Sequence, residues 1–238
     1  MKLIDIKEIK GTIILNSGLH IGAGDNEMKI GGTDNPVVKH PHTNEPYIPG
    51  SSLKGKVRSL LEMRSGLMLK TNGSPLGFKD LKNLKKDNAE EKKIEECSKI
   101  LKLFGASGAD EDEYNIGPCR ASFGDCPLSE DWKNRTANDY PVYTEVKSEN
   151  SIDRIKGTAS NPRFIERVPS GVEFSFCIAL KKLDEKENLE NFLLEGLKLL
   201  EMDALGGNGS RGYGQVEFQF ADKDLQKKFD GIQPFKEE

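Results

Sequence analysis

An α+β fold built on an antiparallel sheet is the fold class that the sequence predicts, and three observations support it. First, apolar and polar residues alternate in GVEFSFCIAL (171–180) and QVEFQF (215–220), a pattern typical of half-buried strands. Second, apolar residues recur at helical spacing in 53–61 and in 189–200. Third, the predicted elements come in the order strand, helix, two strands, helix, strand.

The N-terminal part of the chain is predicted to contain a strand, a long loop and a helix. β-Branched residues predict a strand over about residues 6–16. Glycine and proline recur from 22 to 50, which predicts a long ordered loop of a kind that is often functional. The pattern then becomes helical, with Ser51 or Ser52 available as the N-cap. The apolar face of this helix is formed by Leu53, Val57, Leu60 and Leu61.

Two insertions are predicted in the middle of the chain. Residues 66–104 are rich first in turn residues and then in lysine and glutamate, which predicts a helical insertion, or lid, standing on the domain. CRASFGDC (119–126) and DYPVYTEVKSE (139–149) each predict a short strand. Residues 145–168 are polar with strand-like ends, which predicts a thumb-like hairpin arm with little apolar material of its own.

The C-terminal part completes the pattern with a strand at 171–180, a helix at 188–206, a glycine-rich loop, the strand at 215–220 and a charged tail. One face of the helix carries Leu189, Phe192, Leu193, Leu197 and Leu200. The order of the elements predicts the ferredoxin-like, or RRM-like, arrangement for a single domain of residues 1–238.

Composition limits the possible partners. The chain has 238 residues, 35% of them hydrophobic, which is enough for a substantial core. A net charge of -4 argues weakly against nucleic acid, but residues 51–70 carry five basic side chains against one acid. No apolar run is long enough to cross a membrane and the N-terminus has no signal-peptide pattern, so we expect a cytoplasmic protein without a membrane partner.

The four cysteines lack the paired spacing of a zinc ribbon. Cys97 and Cys177 fall in apolar patterns and are expected to pack as small hydrophobic residues. The alternative is a metal site in which Cys119 and Cys126 are joined by His40 or His42.

The glycine-rich loop matches the dinucleotide-binding pattern G-x-G-x-x-G at Gly207, Gly209 and Gly212. That fingerprint requires a strand before the loop and a helix after it, whereas here a helix precedes and a strand follows. We therefore exclude a dinucleotide site. Unhindered backbone N–H groups beside Ser210 and Arg211 favour contact with a phosphate backbone, and helix capping followed by a tight turn is the alternative explanation for the glycines.

Six motifs, taken in order, resemble a known family. They are HIGAG (20–24), GGTDNPVV (31–38), IPGSSLKGKVRSLLE (48–62), LFG (103–105), TEVKSENSIDRIKGTASNPRFIERV (144–168) and LGGNGSRGYG (205–214). The chain resembles the backbone subunit of the type III-A (Csm) CRISPR effector complex, in the RAMP superfamily. The resemblance covers nearly the whole chain, except for residues 65–100.

The resemblance implies an RRM-like palm that stacks with other copies of itself along one CRISPR guide RNA, together with other subunits of the Csm complex. The glycine loop and the first helix are expected to bind the guide, and the arm to insert between bases at a regular interval. Lys54 and Arg58 lie four residues apart and so share a helix face near the serine hydroxyls. The expected RNA-binding residues are His20, Ser51, Ser52, Lys54, Arg58, Arg154, Arg163, Gly207, Gly209, Ser210, Arg211 and Gly212.

Asp34 is the residue that the resemblance implies for cleavage of the target RNA. It is the only acid in KIGGTDNPVVKH (29–40), behind two glycines and ahead of a proline. With only three histidines, the sequence shows no evident paired acid and base, whereas one carboxylate and RNA phosphate oxygens can hold Mg²⁺ or Mn²⁺. We therefore expect a metal-dependent endoribonuclease, in which the ribose 2′-OH attacks the phosphate and leaves a cyclic phosphate. Asp25 and Glu27 are the rival metal-binding acids.

Two other functions remain open from the sequence. One is a non-catalytic RNA-binding scaffold, which predicts no activity that depends on Asp34. The other is a CRISPR RNA processing endonuclease of the same superfamily, which is expected to rely on a histidine-based site.

Overall fold

The computed structural model describes residues 1–24, 35–106, 112–139 and 142–235. Its strands are β1 (Asp5–Leu15), β2 (Ala121–Phe123), β3 (Glu145–Ile152), β4 (Ala159–Arg167), β5 (Glu173–Lys182) and β6 (Val216–Phe220). Its helices are α1 (Gly50–Arg64), α2 (Phe78–Lys86), α3 (Glu91–Phe104), α4 (Glu130–Thr136), α5 (Glu190–Met202) and α6 (Lys223–Asp230). Short 3₁₀ turns cover Met68–Thr71, Ala137–Asp139 and Gly209–Arg211.

The main sheet has four antiparallel strands in the order β2-β5-β1-β6. Each of its two central strands, β1 and β5, leads through a helix to an edge strand, because α1 connects β1 with β2 and α5 connects β5 with β6. This is the split arrangement that the element order predicts, and the α+β class is confirmed.

The core lies between one face of this sheet and the two helices. Alternate residues of the strands are buried there, as the period of two requires: Ile9, Ile13, Leu15, Phe174, Phe176, Ile178, Val216, Phe218 and Phe220. Gly196 of α5 allows close packing on α1, since a Cβ at this position would lie 2.7 Å from Val57 Cγ1.

The helical insertion shares this core. Its buried apolar residues belong to the same hydrophobic cluster as the sheet and α1, and they include Leu67, Leu76, Leu81, Leu84, Cys97, Ile100, Leu101 and Phe104. A polar contact joins the same two regions, because the buried carboxylate of Glu62 in α1 accepts the Leu76 N–H at 3.1 Å. The insertion is thus packed on the domain along α3 and the chain before α2.

The structure corrects two local predictions. Neither serine caps α1: Pro49 occupies the N-cap position, and the Gly50 N–H donates to Asp125 Oδ1 at 2.8 Å. The charged tail contains α6, where Asp222 accepts from the N–H groups at the helix start. Leu225 and Phe229 of α6 are buried, so this lysine-rich helix packs on the domain through two apolar residues.

Candidate functional site

The arm is a two-stranded sheet of its own, formed by β3 and β4. Its base is buried at Ile165, Glu166 and Val168, whereas most of its outer part is exposed. A β-bulge between Glu149 and Ser151 interrupts the pairing halfway along the strands. The predicted hairpin is confirmed, and it is attached to the sheet domain at its base.

The tip of the arm is a preformed turn. Asp153 Oδ1 accepts the N–H groups of Ile155 at 2.9 Å and Lys156 at 3.0 Å, and these bonds hold the pKa of Asp153 below its usual value. Arg154 is exposed, and the Ile155 side chain is 96% exposed. The tip therefore presents an apolar side chain next to a cation.

The glycine loop packs against the chain that follows β1. The N–H groups of Gly207 and Gly214 donate to the carbonyls of His20 and Gly18, both at 2.9 Å. Gly206 has a positive φ, and a Cβ there would lie 2.4 Å from the His20 carbonyl oxygen. Part of the glycine content is therefore required by this close approach.

The loop offers fewer backbone donors than the sequence predicts. The N–H of Gly212 donates to the Gly209 carbonyl and that of Arg211 to the Asn208 carbonyl, both at 2.9 Å. These bonds, with that of Gly207, correct the expectation of unhindered N–H groups at these positions. The 3₁₀ turn instead leaves the side chains of Ser210 and Arg211 exposed.

Tyr213 joins the glycine loop to the arm. Its ring is fully buried, and the cations of Lys147 (Nζ 4.6 Å from the centroid) and Arg167 (Cζ 5.0 Å) both lie over it. Its hydroxyl donates to Glu149 Oε1 at 2.9 Å. Burial tends to raise the pKa of Glu149, but the hydrogen bond from Tyr213 and the charges of Arg211 and Lys147 together hold it below its usual value.

A polar groove of about 330 Å³ lies between the arm and the glycine loop. It is lined by Glu149, Asn150, Ser151, Asn161, Arg163 and Arg211. Two arginines that the sequence assigns to RNA binding thus meet at one groove. Arg211 Nη1 donates to Glu149 Oε2 at 3.0 Å and to Asn208 Oδ1 at 3.2 Å, which orients the guanidinium.

The segments that precede and follow residues 25–34 are held together. Ala23 N–H donates to the Pro36 carbonyl at 3.1 Å and Val38 N–H to the Ile21 carbonyl at 2.9 Å, around a β-bridge between Gly22 and Val37. Residues 21–23 and 36–38 therefore form a short antiparallel ladder.

Glu166 of β4 attaches this ladder to the arm. Its carboxylate accepts the Val37 N–H at 2.9 Å and pairs with Lys39 Nζ at 2.6 Å. Its own N–H donates to the Asn35 carbonyl at 3.2 Å. Its carbonyl oxygen lies 2.7 Å from His20 Nδ1, and because a carbonyl can only accept, Nδ1 carries the hydrogen.

Comparisons with a family model and with named proteins agree. The family model of the RAMP superfamily matches residues 12–217. A Methanothermobacter thermautotrophicus protein named CRISPR system Cms endoribonuclease Csm3 is 38% identical over 226 residues, 89% of this chain and 82% of the relative. The Streptococcus thermophilus protein of the same name is 41% identical, over 87% of this chain and 84% of the relative. The chain belongs to the Csm3 family of the RAMP superfamily.

Solved structures agree with the fold of this Csm3-family chain. A crystal structure of a Csm3-Csm4 subcomplex in the type III-A CRISPR-Cas interference complex matches with a TM-score of 0.54 and 24% identity, over 98% of this chain and 99% of that one. A cryo-EM structure of the type III-B Cmr-beta bound to cognate target RNA matches with a TM-score of 0.55 and 17% identity. This match covers 90% of the present chain and 59% of that chain. At these identities the likeness concerns the fold, and the predicted resemblance to the family is confirmed by the closer sequence relatives.

Asp34 and its rivals Asp25 and Glu27 lie outside the described residues of this Csm3-family chain. The catalytic assignment of Asp34 therefore stays a prediction. What the structure describes is Asn35, the next residue, and its attachment to the base of the arm.

The residues of the predicted donor cluster on α1 differ in their exposure and contacts. Ser51 is exposed and Ser52 and Lys54 are half-buried, with Lys54 Nζ 3.7 Å from Cys119 Sγ. Arg58 instead faces inward: its guanidinium bonds to Glu62, to the Gly105 carbonyl and to the Leu76 carbonyl at 2.6–3.1 Å. We therefore withdraw Arg58 from the predicted phosphate-binding cluster, because its role is to tie α1 to the insertion.

No three metal-ligating side chains converge within residues 1–24, 35–106, 112–139 and 142–235. The cysteine and histidine alternative has no such cluster to support it, and the four cysteines are free thiols. Burial raises the pKa of Cys97 and of Cys126 to about 12, so both thiols are protonated at neutral pH. The described part of the chain has no helix both long and apolar enough to span a bilayer.

Sequence reasoning missed Glu149, Glu166 and Tyr213. All three lie inside motifs that carry the family resemblance, Tyr213 in the glycine motif and the two acids in the arm motif. Their contacts join residues up to 146 positions apart, so composition and periodicity alone gave no signal for them.

Proposed function

We propose that this chain is the CRISPR RNA-binding backbone subunit of a type III-A interference complex and that it cleaves target RNA paired with the guide. Its copies stack along the guide, beside the other Csm subunits, in the cytoplasm. The proposal is supported by 36–41% identity to proteins named Csm3 endoribonucleases. The observation that carries it is the meeting of the arm, the glycine loop and both ends of the 25–34 loop around Glu166 and His20.

The RNA backbone is proposed to bind at the groove. Arg163 and Arg211 supply positive charge there, and arginine donors suit phosphate oxygens. The exposed outer arm, with Ile155 and Arg154 at its tip, fits contact with bases and phosphates rather than with protein. Ser51, Ser52 and Lys54 at the start of α1 are proposed as further contacts for the guide.

Cleavage is proposed to take place beside the base of the arm, at Asp34. A ribose 2′-oxygen forms a bond to the adjacent phosphorus while the bond from phosphorus to the 5′-oxygen breaks, leaving a 2′,3′-cyclic phosphate and a 5′-hydroxyl. The 2′-hydroxyl proton is lost and the leaving oxygen gains one, so the reaction needs no further reactant. Mg²⁺ or Mn²⁺, when bound to Asp34 and phosphate oxygens, would neutralise charge that develops on the phosphate.

The protein's part is to hold the strand in line, since orientation accounts for much of the barrier reduction in such reactions. Few protein groups are then needed.

The decisive experiment compares wild-type and Asp34→Ala complexes reconstituted with guide RNA. We expect wild type to cut complementary RNA at regular intervals in Mg²⁺, and Asp34→Ala to bind the target with unchanged affinity and not to cut it. Asp25→Ala and Glu27→Ala test the rival acids of the same segment, and we expect both complexes to cut. Undiminished cutting by Asp34→Ala would refute the assignment, and cutting by none of the complexes would favour the scaffold.

A further inference from the structure

Glu166 contacts three residues of the segment that follows residues 25–34, namely Asn35, Val37 and Lys39. Its N–H binds the Asn35 carbonyl, one carboxylate oxygen binds the Val37 N–H, and the other binds Lys39 Nζ. Asn35 also forms a parallel β-bridge with Ile165, the residue before Glu166 in β4. Residues 35–39 are therefore fixed to β4 by both backbone and side-chain bonds.

The Glu166 carboxylate differs from an exposed ion pair in its surroundings. Its side chain is only 10% exposed, and Lys39 is 26% exposed. Burial alone would raise the pKa of Glu166, but the bonds from Lys39, Val37 and Thr144 hold it below its usual value. Replacing it removes an acceptor from a backbone N–H and leaves Lys39 without this partner.

We propose that Glu166 is a positioning residue for target cleavage, holding the segment that continues from Asp34 in register with the base of the arm. This inference rests on the proposed function. In the proposed function the arm places the RNA, and residues 35–39 follow Asp34 directly in the chain, so Glu166 would couple the two. His20 shares the same attachment, through the Glu166 carbonyl.

The test compares single-turnover cleavage and target affinity in reconstituted complexes carrying Glu166→Ala or Glu166→Gln. A displacement of about 1 Å at a reacting group lowers rates by up to about 100-fold. Because Glu166→Ala would allow such a displacement, we expect it to lower the cleavage rate constant about 10- to 100-fold. The target Kd should stay within about twofold of wild type. Glu166→Gln keeps an oxygen acceptor for the Val37 N–H but loses the charge facing Lys39, and we expect an intermediate rate.

Glu190→Ala is the matched control. Glu190 is also a partly buried carboxylate, paired with Lys7 and Lys228, but it lies on α5 and contacts neither the arm nor residues 35–39. We expect it to reduce stability while leaving the cleavage rate of the assembled complex unchanged.

Hydrogen exchange supplies a readout that is independent of activity. The Val37 amide is expected to exchange faster in Glu166→Ala, and close to the wild-type rate in Glu166→Gln and Glu190→Ala. If Glu166→Ala does not assemble, Glu166→Gln carries the test alone, through its cleavage rate.

The outcomes separate this inference from the proposed function. The inference is overturned if Glu166→Gln, and Glu166→Ala where it assembles, cleave at the wild-type rate. In that case an inactive Asp34→Ala complex would still support the proposed function. Equal losses of target binding and cleavage would also overturn it, since Glu166 would then serve binding. An active Asp34→Ala complex would refute the function itself.

Discussion

The guanidinium of Arg211 is held through a single nitrogen, Nη1, which bonds to Glu149 and Asn208. Its Nε and Nη2 have no hydrogen-bond acceptor among the described residues, and its side chain is 49% exposed at the groove. Arg58 is 15% exposed, and all three of its nitrogens donate to protein oxygens. The two arginines differ in the donors left for a phosphate, so we expect Arg211 rather than Arg58 to contact RNA.

Arg211→Ala is therefore expected to weaken guide binding by the free protein and to reduce the salt dependence of log K by about one ion equivalent. Filter binding at several salt concentrations measures both quantities. Arg135→Ala is the control, since Arg135 is 59% exposed and pairs with Glu173, away from the groove. Equal losses in the two variants would indicate a general charge effect and contradict a specific contact.

At the scale of elements, the arm depends on Tyr213 for its attachment to the glycine loop. The Tyr213 side chain contacts two cations and one carboxylate, all of which belong to β3 and β4. β3 and β4 form a sheet that is separate from the main sheet, and contacts at Tyr213 and Glu166 attach it to the glycine loop and to residues 35–39. We therefore expect these contacts to set the direction of the arm. The proposed insertion of the arm into RNA at a fixed interval would need such an orientation.

Tyr213→Phe removes only the hydroxyl and leaves the ring between Lys147 and Arg167. We expect it to lower the free energy of unfolding by about 1 kcal/mol, the usual net value of one buried hydrogen bond, and to speed amide exchange in β3. Tyr143→Phe is the control, because its ring packs on Trp132 and its hydroxyl has no hydrogen-bond partner among the described residues. Unchanged exchange in β3 would mean that the bond to Glu149 does not hold the arm.

The elements also show what the sequence can predict. Apolar residues recur with the period of a strand or of a helix in β1, β5, β6, α1 and α5, so the type of each element was predictable. The arm was predictable because its sequence lacks such a pattern. α4 and α6 are short and bury few apolar residues, so periodicity gave no usable signal. Within the site, Arg163 and Arg211 were predicted from motifs, whereas Glu149 and Glu166 act through contacts that only the tertiary fold creates.

At the scale of the whole molecule, three partly buried carboxylates join segments that are distant in the chain. Glu166 joins the arm to residues 35–39, Glu187 joins Arg120 and Lys102, and Glu190 joins β1 to α6. In each case burial would raise the carboxyl pKa, but hydrogen bonds and nearby cations outweigh it and lower the pKa below its usual value near 4.5. All three therefore favour the folded state in their ionised form.

This arrangement predicts acid sensitivity with a definite sign. Because the folded-state pKa values are lower than the unfolded ones, the unfolded chain binds more protons near pH 4, and stability falls as pH falls. The contribution is complete well above the usual value of 4.5 and is lost progressively as the pH passes down through the folded-state pKa values. Urea unfolding between pH 7 and pH 3.5, followed by fluorescence of the single tryptophan, Trp132, measures the loss.

Glu190→Gln isolates one of these carboxylates. We expect the variant to be less stable than wild type at pH 7, because Lys7 and Lys228 lose their charged partner, and to lose less stability on acidification, because glutamine does not titrate. The two stability curves should therefore converge towards pH 3.5. Glu217→Gln, at an exposed position of β6, should instead follow the wild-type curve throughout. Coincident curves for Glu190→Gln and wild type would show that this carboxylate does not contribute to the acid response and that the ion pairs joining β1, α5 and α6 are unimportant for stability.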